Sequence, residues 1–142
     1  FSEFAGIDRV ITLLEGPGVH LRSRDGTIDH RLHTPLVPFA FPGDAQVQAD
    51  LLGAGCHDFN VMTRRTVCTA RVRVLREAMT LPRAREGLCM VVHGSWELQA
   101  DAPVRLGAGE GLWWHELGLS WQISSGDTGA AMLAVLIEPA TP

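Results

Sequence analysis

The chain has 142 residues, 46 % hydrophobic and 20 % charged, with a formal net charge of -4. That length supports a real core, and the balance excludes a disordered chain. All 12 basic residues are arginine and no segment concentrates them, which argues against a nucleic-acid partner.

No apolar run approaches the roughly 18 residues of a membrane helix, and no signal-peptide pattern is present, so a cytoplasmic protein without a membrane partner is expected. Along the chain, apolar residues recur at period two or in short runs broken by Gly, Pro and Asp, and helix signals are almost missing. Strands are predicted over residues 10–14, 19–22, 27–32, 46–52, 59–63, 66–74, 88–92, 96–98, 112–114, 120–123 and 131–137. Gly16-Pro17-Gly18, Asp25-Gly26, Phe41-Pro42-Gly43-Asp44, Asp101-Ala102-Pro103 and Ser125-Gly126-Asp127 read as the turns between them. Residues 76–79 carry only a weak signal for one helical turn. Many short strands with regular turns indicate an all-β sandwich or barrel.

The stretch "HDFNVMTRR" (57–65) has two unlike faces, because side chains alternate along a strand. Phe59, Val61 and Thr63 form one; Asp58, Asn60, Met62 and Arg64 form the other. The second face reads either as an exposed edge whose charges oppose aggregation or as the lining of a polar pocket. In a pocket, Asn60 offers a donor and an acceptor, Arg64 a cation, and Met62 adaptable apolar contact. In "LWWH" (112–115) adjacent tryptophans take opposite faces, one for the core and one available to a homodimer interface. Cys56, Cys68 and Cys89 are odd in number and follow no metal spacing, so they are expected to be reduced, buried thiols of a cytoplasmic protein.

"VITLLEGPGVHL" (10–21) and "LCMVVHGSWEL" (88–98) both read as strand, glycine, strand, and each is followed by a glycine-acid pair, Gly43-Asp44 and Gly109-Glu110. This unit resembles the cupin superfamily, whose barrels are double-stranded β-helices. More specifically, "FSEFAGIDRVITLLEGPG", "PFAFPGD" and "DFNVMTRR", in that order and spacing, resemble the HutD/Ves family of histidine utilisation. "HGSWEL" and "LGAGEGLWW" extend the resemblance more loosely into the second half. Ala5 stands where that family more often has proline, and the family's usual segment with a Trp-Lys-Asn-Gly-Gly-like motif falls ahead of the first residue here. The resemblance implies a bicupin, a duplicated barrel or jelly roll, with halves expected at residues 1–78 and 79–142 and "MTLPRAREG" (79–87) as the junction. It also implies a regulatory or accessory role in histidine catabolism, through binding an intermediate such as formylglutamate.

Cupin enzymes usually hold a metal through histidines and a glutamate seven positions ahead of the unit's glycine. Counted back from Gly16 and Gly94, those positions hold Arg9 and Gly87. His30 and His33, three apart on a strand, face opposite ways, and His20, His57, His93 and His115 are scattered. No metal and no cofactor are therefore expected. An arginine in place of an acid would attract an anion, and its planar fork suits a carboxylate. Arg9 is either such an anchor or a structural ion-pair partner of Asp8, Glu15 or Asp58. In the first case the ligand residues are Arg9, Asn60, Arg64, Met62 and Asp58, with Asp58 holding an arginine in place. No serine sits in a nucleophile elbow, Cys56 and His57 point apart, and "GAGEG" (107–111) lacks the Lys and helix of a phosphate loop. The expectation is a metal-free binder of a small acidic metabolite. The alternative is a cofactor-independent isomerase or hydrolase with His93, Glu15 or Asp58 as base.

Overall fold

The computed structural model describes residues 1–142, which form fourteen strands and no helix, paired in antiparallel ladders. The chain divides into two units, residues 1–69 with 139–142, and residues 70–138.

In the first unit, β1 (Ile7–Glu15) lies between β4 (Phe39–Pro42) and β6 (His57–Arg64), and β2 (Val19–Ser23) lies between β3 (Asp29–Leu32) and β5 (Val47–Leu51). Period-two burial builds the core: Ile11 and Leu13 of β1 and Phe41 of β4 join Val19, Leu21, Leu32 and Val47 of the other sheet. The two sheets therefore share one apolar interior.

The second unit repeats this order. β9 (Glu86–His93) lies between β12 (Gly111–Trp114) and β14 (Ala131–Pro139), and β10 (Trp96–Gln99) between β11 (Pro103–Leu106) and β13 (Gln122–Ser124). Two further strands extend the sheets: β7 (Cys68–Leu75) beside β14 and β8 (Met79–Thr80) beside β13. Each six-strand set runs in the same pairing order, as a duplicated half would. The turn after each central strand opens on a glycine in the left-handed region, φ 96° at Gly16 and 80° at Gly94, where a Cβ is strained. The second core gathers Cys89, Val91, Trp96, Leu98, Trp114, Ile123, Met132, Ala134 and Leu136.

Several expectations change in detail. Residues 39–42 and 103–106, taken partly as turns, are strands. Both carry proline, yet β4 and β11 are edge strands, with Pro42 last in its strand and Pro103 first, where a missing N–H breaks no ladder. Residues 76–79 form no helical turn; the chain bends into β8. Strand β3 starts at Asp29 rather than residue 27, because the Asp25 carboxylate accepts hydrogen bonds from Ser23 Oγ (2.6 Å), Thr27 N (3.1 Å) and Thr27 Oγ1 (2.8 Å) and closes a turn there. Of the paired tryptophans, Trp114 is core and Trp113 is 76 % exposed.

Candidate functional site

The register of β1 decides which face of "HDFNVMTRR" looks inward. Arg9 pairs with Met62, Ile11 with Asn60 and Leu13 with Asp58. Directly paired residues share a face. Ile11 and Leu13 are fully buried core residues, so Asp58, Asn60 and Met62 line the interior side of the first unit. Arg64 pairs with Ile7 and belongs to the same face. Asn60 is half-buried, while Asp58, Met62 and Arg64 are exposed. Exposure along the row is thus least at Asn60 and rises toward both ends.

Arg9 is 5 % exposed, the charged residue buried deepest in the chain. Its Nε donates to Asn60 Oδ1 at 3.4 Å, a long bond. Three rings surround the guanidinium, with centroids at 4.7 Å for Phe1, 5.0 Å for Phe41 and 5.7 Å for Phe4. Each offers a π face to the cation. None of the acids considered as partners ion-pairs with it. Asp8 bonds Arg65 at 2.7 Å, Glu15 lies 3.8 Å from His57, and Asp58 forms no ion pair. Burial pushes the Arg9 guanidinium below its ordinary value, and the charge of Asp58 opposes that fall. An arginine keeps its proton regardless. The first unit therefore holds a largely desolvated cation with no protein anion against it.

The N-terminal residues that bring Phe4 over Arg9 are tied to the β4–β5 turn. Phe4 N donates to Gly43 O (2.8 Å), Gly43 N to Ile7 O (2.7 Å) and Gly6 N to Asp44 Oδ1 (2.9 Å). Arg65 completes the clamp, bonding Asp8 and Asp44 at 2.7 Å each. These hydrogen bonds, the Gly6 amide first and Arg65 second, hold the Asp44 carboxyl below its usual range. "PFAFPGD" and the last arginine of "HDFNVMTRR" thus act structurally, setting the aromatic cover.

The same positions in the second unit are apolar. Gly87, counted from its turn glycine as Arg9 is from Gly16, pairs with Trp114 and Leu136, where Arg9 pairs with Phe41 and Met62. Ala134 occupies the place of Asn60, and Met132 that of Asp58. A Cβ on Gly87 would meet Trp114 Cζ2 at 2.4 Å, so the indole fills the space a side chain there would need. Trp114 Nε1 donates to Ala84 O at 3.0 Å, which fixes the ring. Beside it, burial pushes the Cys89 thiol up to about 12, leaving it inert.

Of the residues expected at a site, Arg9 and Asn60 are hydrogen-bonded; Met62, Asp58 and Arg64 share their face, and neither Asp58 nor Arg64 makes a hydrogen bond or ion pair with the guanidinium. Asp58 does not hold an arginine by contact. Missed from the sequence were Phe41 and Phe4, and with them His30, whose ring stacks on Phe39 (3.8 Å, 2° between planes) while Phe39 stacks on Phe41 (5.9 Å). Burial, then the neighbouring His33, pushes the His30 imidazole below its ordinary value. The alternation of Phe39 and Phe41 was the available signal, hidden by the turn residues that follow. Among the other histidines, His20 pairs with Asp29 (2.5 Å), His115 with Glu86 (2.9 Å) and His57 with Glu15 (3.8 Å), and His33 bonds the Arg31 carbonyl (2.8 Å). No three metal-ligating side chains converge.

A family model described as HutD matches residues 1–133. Among solved structures, the chain is similar to a conserved protein of unknown function from Pseudomonas aeruginosa PAO1, at 26 % identity and TM-score 0.87, over 98 % of this chain and 75 % of that one. It is also similar to HutD from Pseudomonas fluorescens SBW25 in a formate condition, at 28 % identity and TM-score 0.81, over 99 % of this chain and 73 % of that one. A cupin 2 conserved barrel domain protein from Leptotrichia buccalis shares the fold alone, at 9 % identity and TM-score 0.60, over 97 % of this chain and 76 % of that one.

Proposed function

We propose, from the premise that this chain belongs to the HutD family, that its first unit binds a small carboxylate metabolite and serves histidine utilisation as an accessory or regulatory protein. One observation carries the reading: Arg9 is 5 % exposed and ion-pairs with no protein acid, while its counterpart Gly87 lies under the Trp114 indole. A buried cation without an ion-pair partner is costly, and a ligand carboxylate would supply that partner through a bidentate contact. Asn60 would donate its amide N–H₂ to the same ligand while its Oδ1 accepts from Arg9. The aromatic surround keeps water from competing. Formylglutamate, a carboxylate intermediate of histidine breakdown, is the candidate metabolite.

Calorimetric titration with formate and formylglutamate tests the reading. A hydrogen bond to a charged group is worth roughly 1.5–3 kcal/mol, so Arg9→Ala should weaken binding about ten- to a hundredfold. Arg9→Lys keeps the charge but loses the fork and should recover only part. Unchanged affinity in a folded Arg9→Ala protein rejects the assignment. Turnover of formylglutamate would instead favour the isomerase or hydrolase alternative.

A further inference from the structure

The inward row of β6 is electrically polarised. Arg64 stands at one end and Asp58 at the other, with Met62 and Asn60 between them. Neither charged end is neutralised, since the ion pairs on this side of the unit use Asp8, Asp44 and Arg65, or Glu15 and His57. Arg9 leans along the row: its backbone is level with Met62, yet its Nε reaches Asn60, one layer nearer to Asp58. Layers on one face of a strand are about 7 Å apart. A carboxylate seated on Arg9 and Asn60 would therefore have Asp58 roughly one layer away. The field of Asp58 reaches the guanidinium, consistent with that closeness.

We propose, resting on the carboxylate-binding reading above, that Asp58 determines specificity: the site takes acids carrying an N–H donor about one strand layer from the carboxylate, and disfavours a second carboxylate there. An ammonium or amide N–H would donate to the unpaired Asp58 carboxylate, a charge-assisted bond. A second anion at that place would meet it as a like charge. The chemical class is thus amino- or acylamino-carboxylic acids in preference to simple dicarboxylates. The apolar counterpart in the second unit, Met132, offers no such discrimination.

The test compares 4-aminobutyrate with glutarate, which have the same spacing but opposite charge at the far end, on the whole chain and on Asp58→Asn. Formate, which carries no far-end group, measures what Asp58 does to the carboxylate seat itself. The expected result is at least a tenfold preference for 4-aminobutyrate over glutarate in the wild type, and loss or reversal of that preference in Asp58→Asn, with any change in formate affinity smaller than the change in preference. Asp58 is exposed, so the variant should fold, and a matching circular dichroism spectrum and melt would verify this. Formate binding without any donor preference, or a preference that survives Asp58→Asn, overturns the role of Asp58 alone. Failure of formate, 4-aminobutyrate and glutarate all to bind overturns the carboxylate site itself, and this inference with it.

Discussion

Replacing Arg9 with methionine should separate what this residue does for folding from what it does for binding. In the folded chain the guanidinium makes one long hydrogen bond, 3.4 Å to Asn60, and packs among three rings at 4.7–5.7 Å. A desolvated cation–π contact contributes about 2 kcal/mol or more, and so long a hydrogen bond contributes little. Against these stands the loss of hydration of a charge that has no acid beside it, an effective penalty of several kcal/mol. Methionine has similar reach, needs no hydration, and its sulfur recovers roughly 0.3–1.5 kcal/mol against the same rings. The two sides nearly cancel, with the balance tipped toward the variant. Arg9→Met should therefore melt between the wild-type Tm and about 6 °C above it, corresponding to ~0–2 kcal/mol at about 3 °C per kcal/mol for a chain this long. Its affinity for formate should nevertheless fall about ten- to a hundredfold. Thermal melts by circular dichroism, run without ligand, and calorimetric titration of the same preparations measure both quantities. A Tm lowered by more than about 6 °C would mean that Arg9 is a structural cation whose partners outweigh its desolvation, and would refute this reasoning.

Other consequences are equally direct. Trp114→Ala should cost about 3–5 kcal/mol in denaturant unfolding, because it empties a buried indole site in the second core. Gly87→Ala should cost about 1–3 kcal/mol by overpacking against Trp114 and the Val135 carbonyl, 2.6 Å from the added Cβ, and the double variant should lose less than the sum. Asp25, held at about 2 first by the Ser23 hydroxyl and then by Thr27, contributes stability that is complete above its unfolded value near pH 4. That contribution disappears as pH falls through about 2; an NMR titration should locate the midpoint there, and Asp25→Asn should remove this part of the acid dependence. Iodoacetamide should label the half-buried Cys56 and Cys68 in the folded protein and reach Cys89 only after denaturation, as read by mass spectrometry.

The sequence by itself determined the class of fold, because strand formation is a local property here. Period-two burial in β7 and β9, turns built on Gly, Pro and Asp, and two strand–glycine–strand units all depend on neighbours within a few residues. Those units also marked Arg9 and Gly87 as counterparts. What the chain could not reveal alone was which face of β6 looks inward, since alternation defines two faces without ranking them. Only pairing with β1, with Asn60 level with the buried Ile11, decides that Asp58, Asn60 and Met62 share the face of Arg9, Ile11 and Leu13. Nor could spacing show that Asp8 and Glu15 are already engaged by Arg65 and His57, leaving Arg9 without an acid. The edge positions of Pro42 and Pro103 are equally tertiary, because a proline is compatible with a strand only once it is known which ladder needs its N–H. The Phe4, Phe41 and Trp114 rings acquire their roles the same way: each acts on a residue far away in sequence, at a place that only long-range pairing creates.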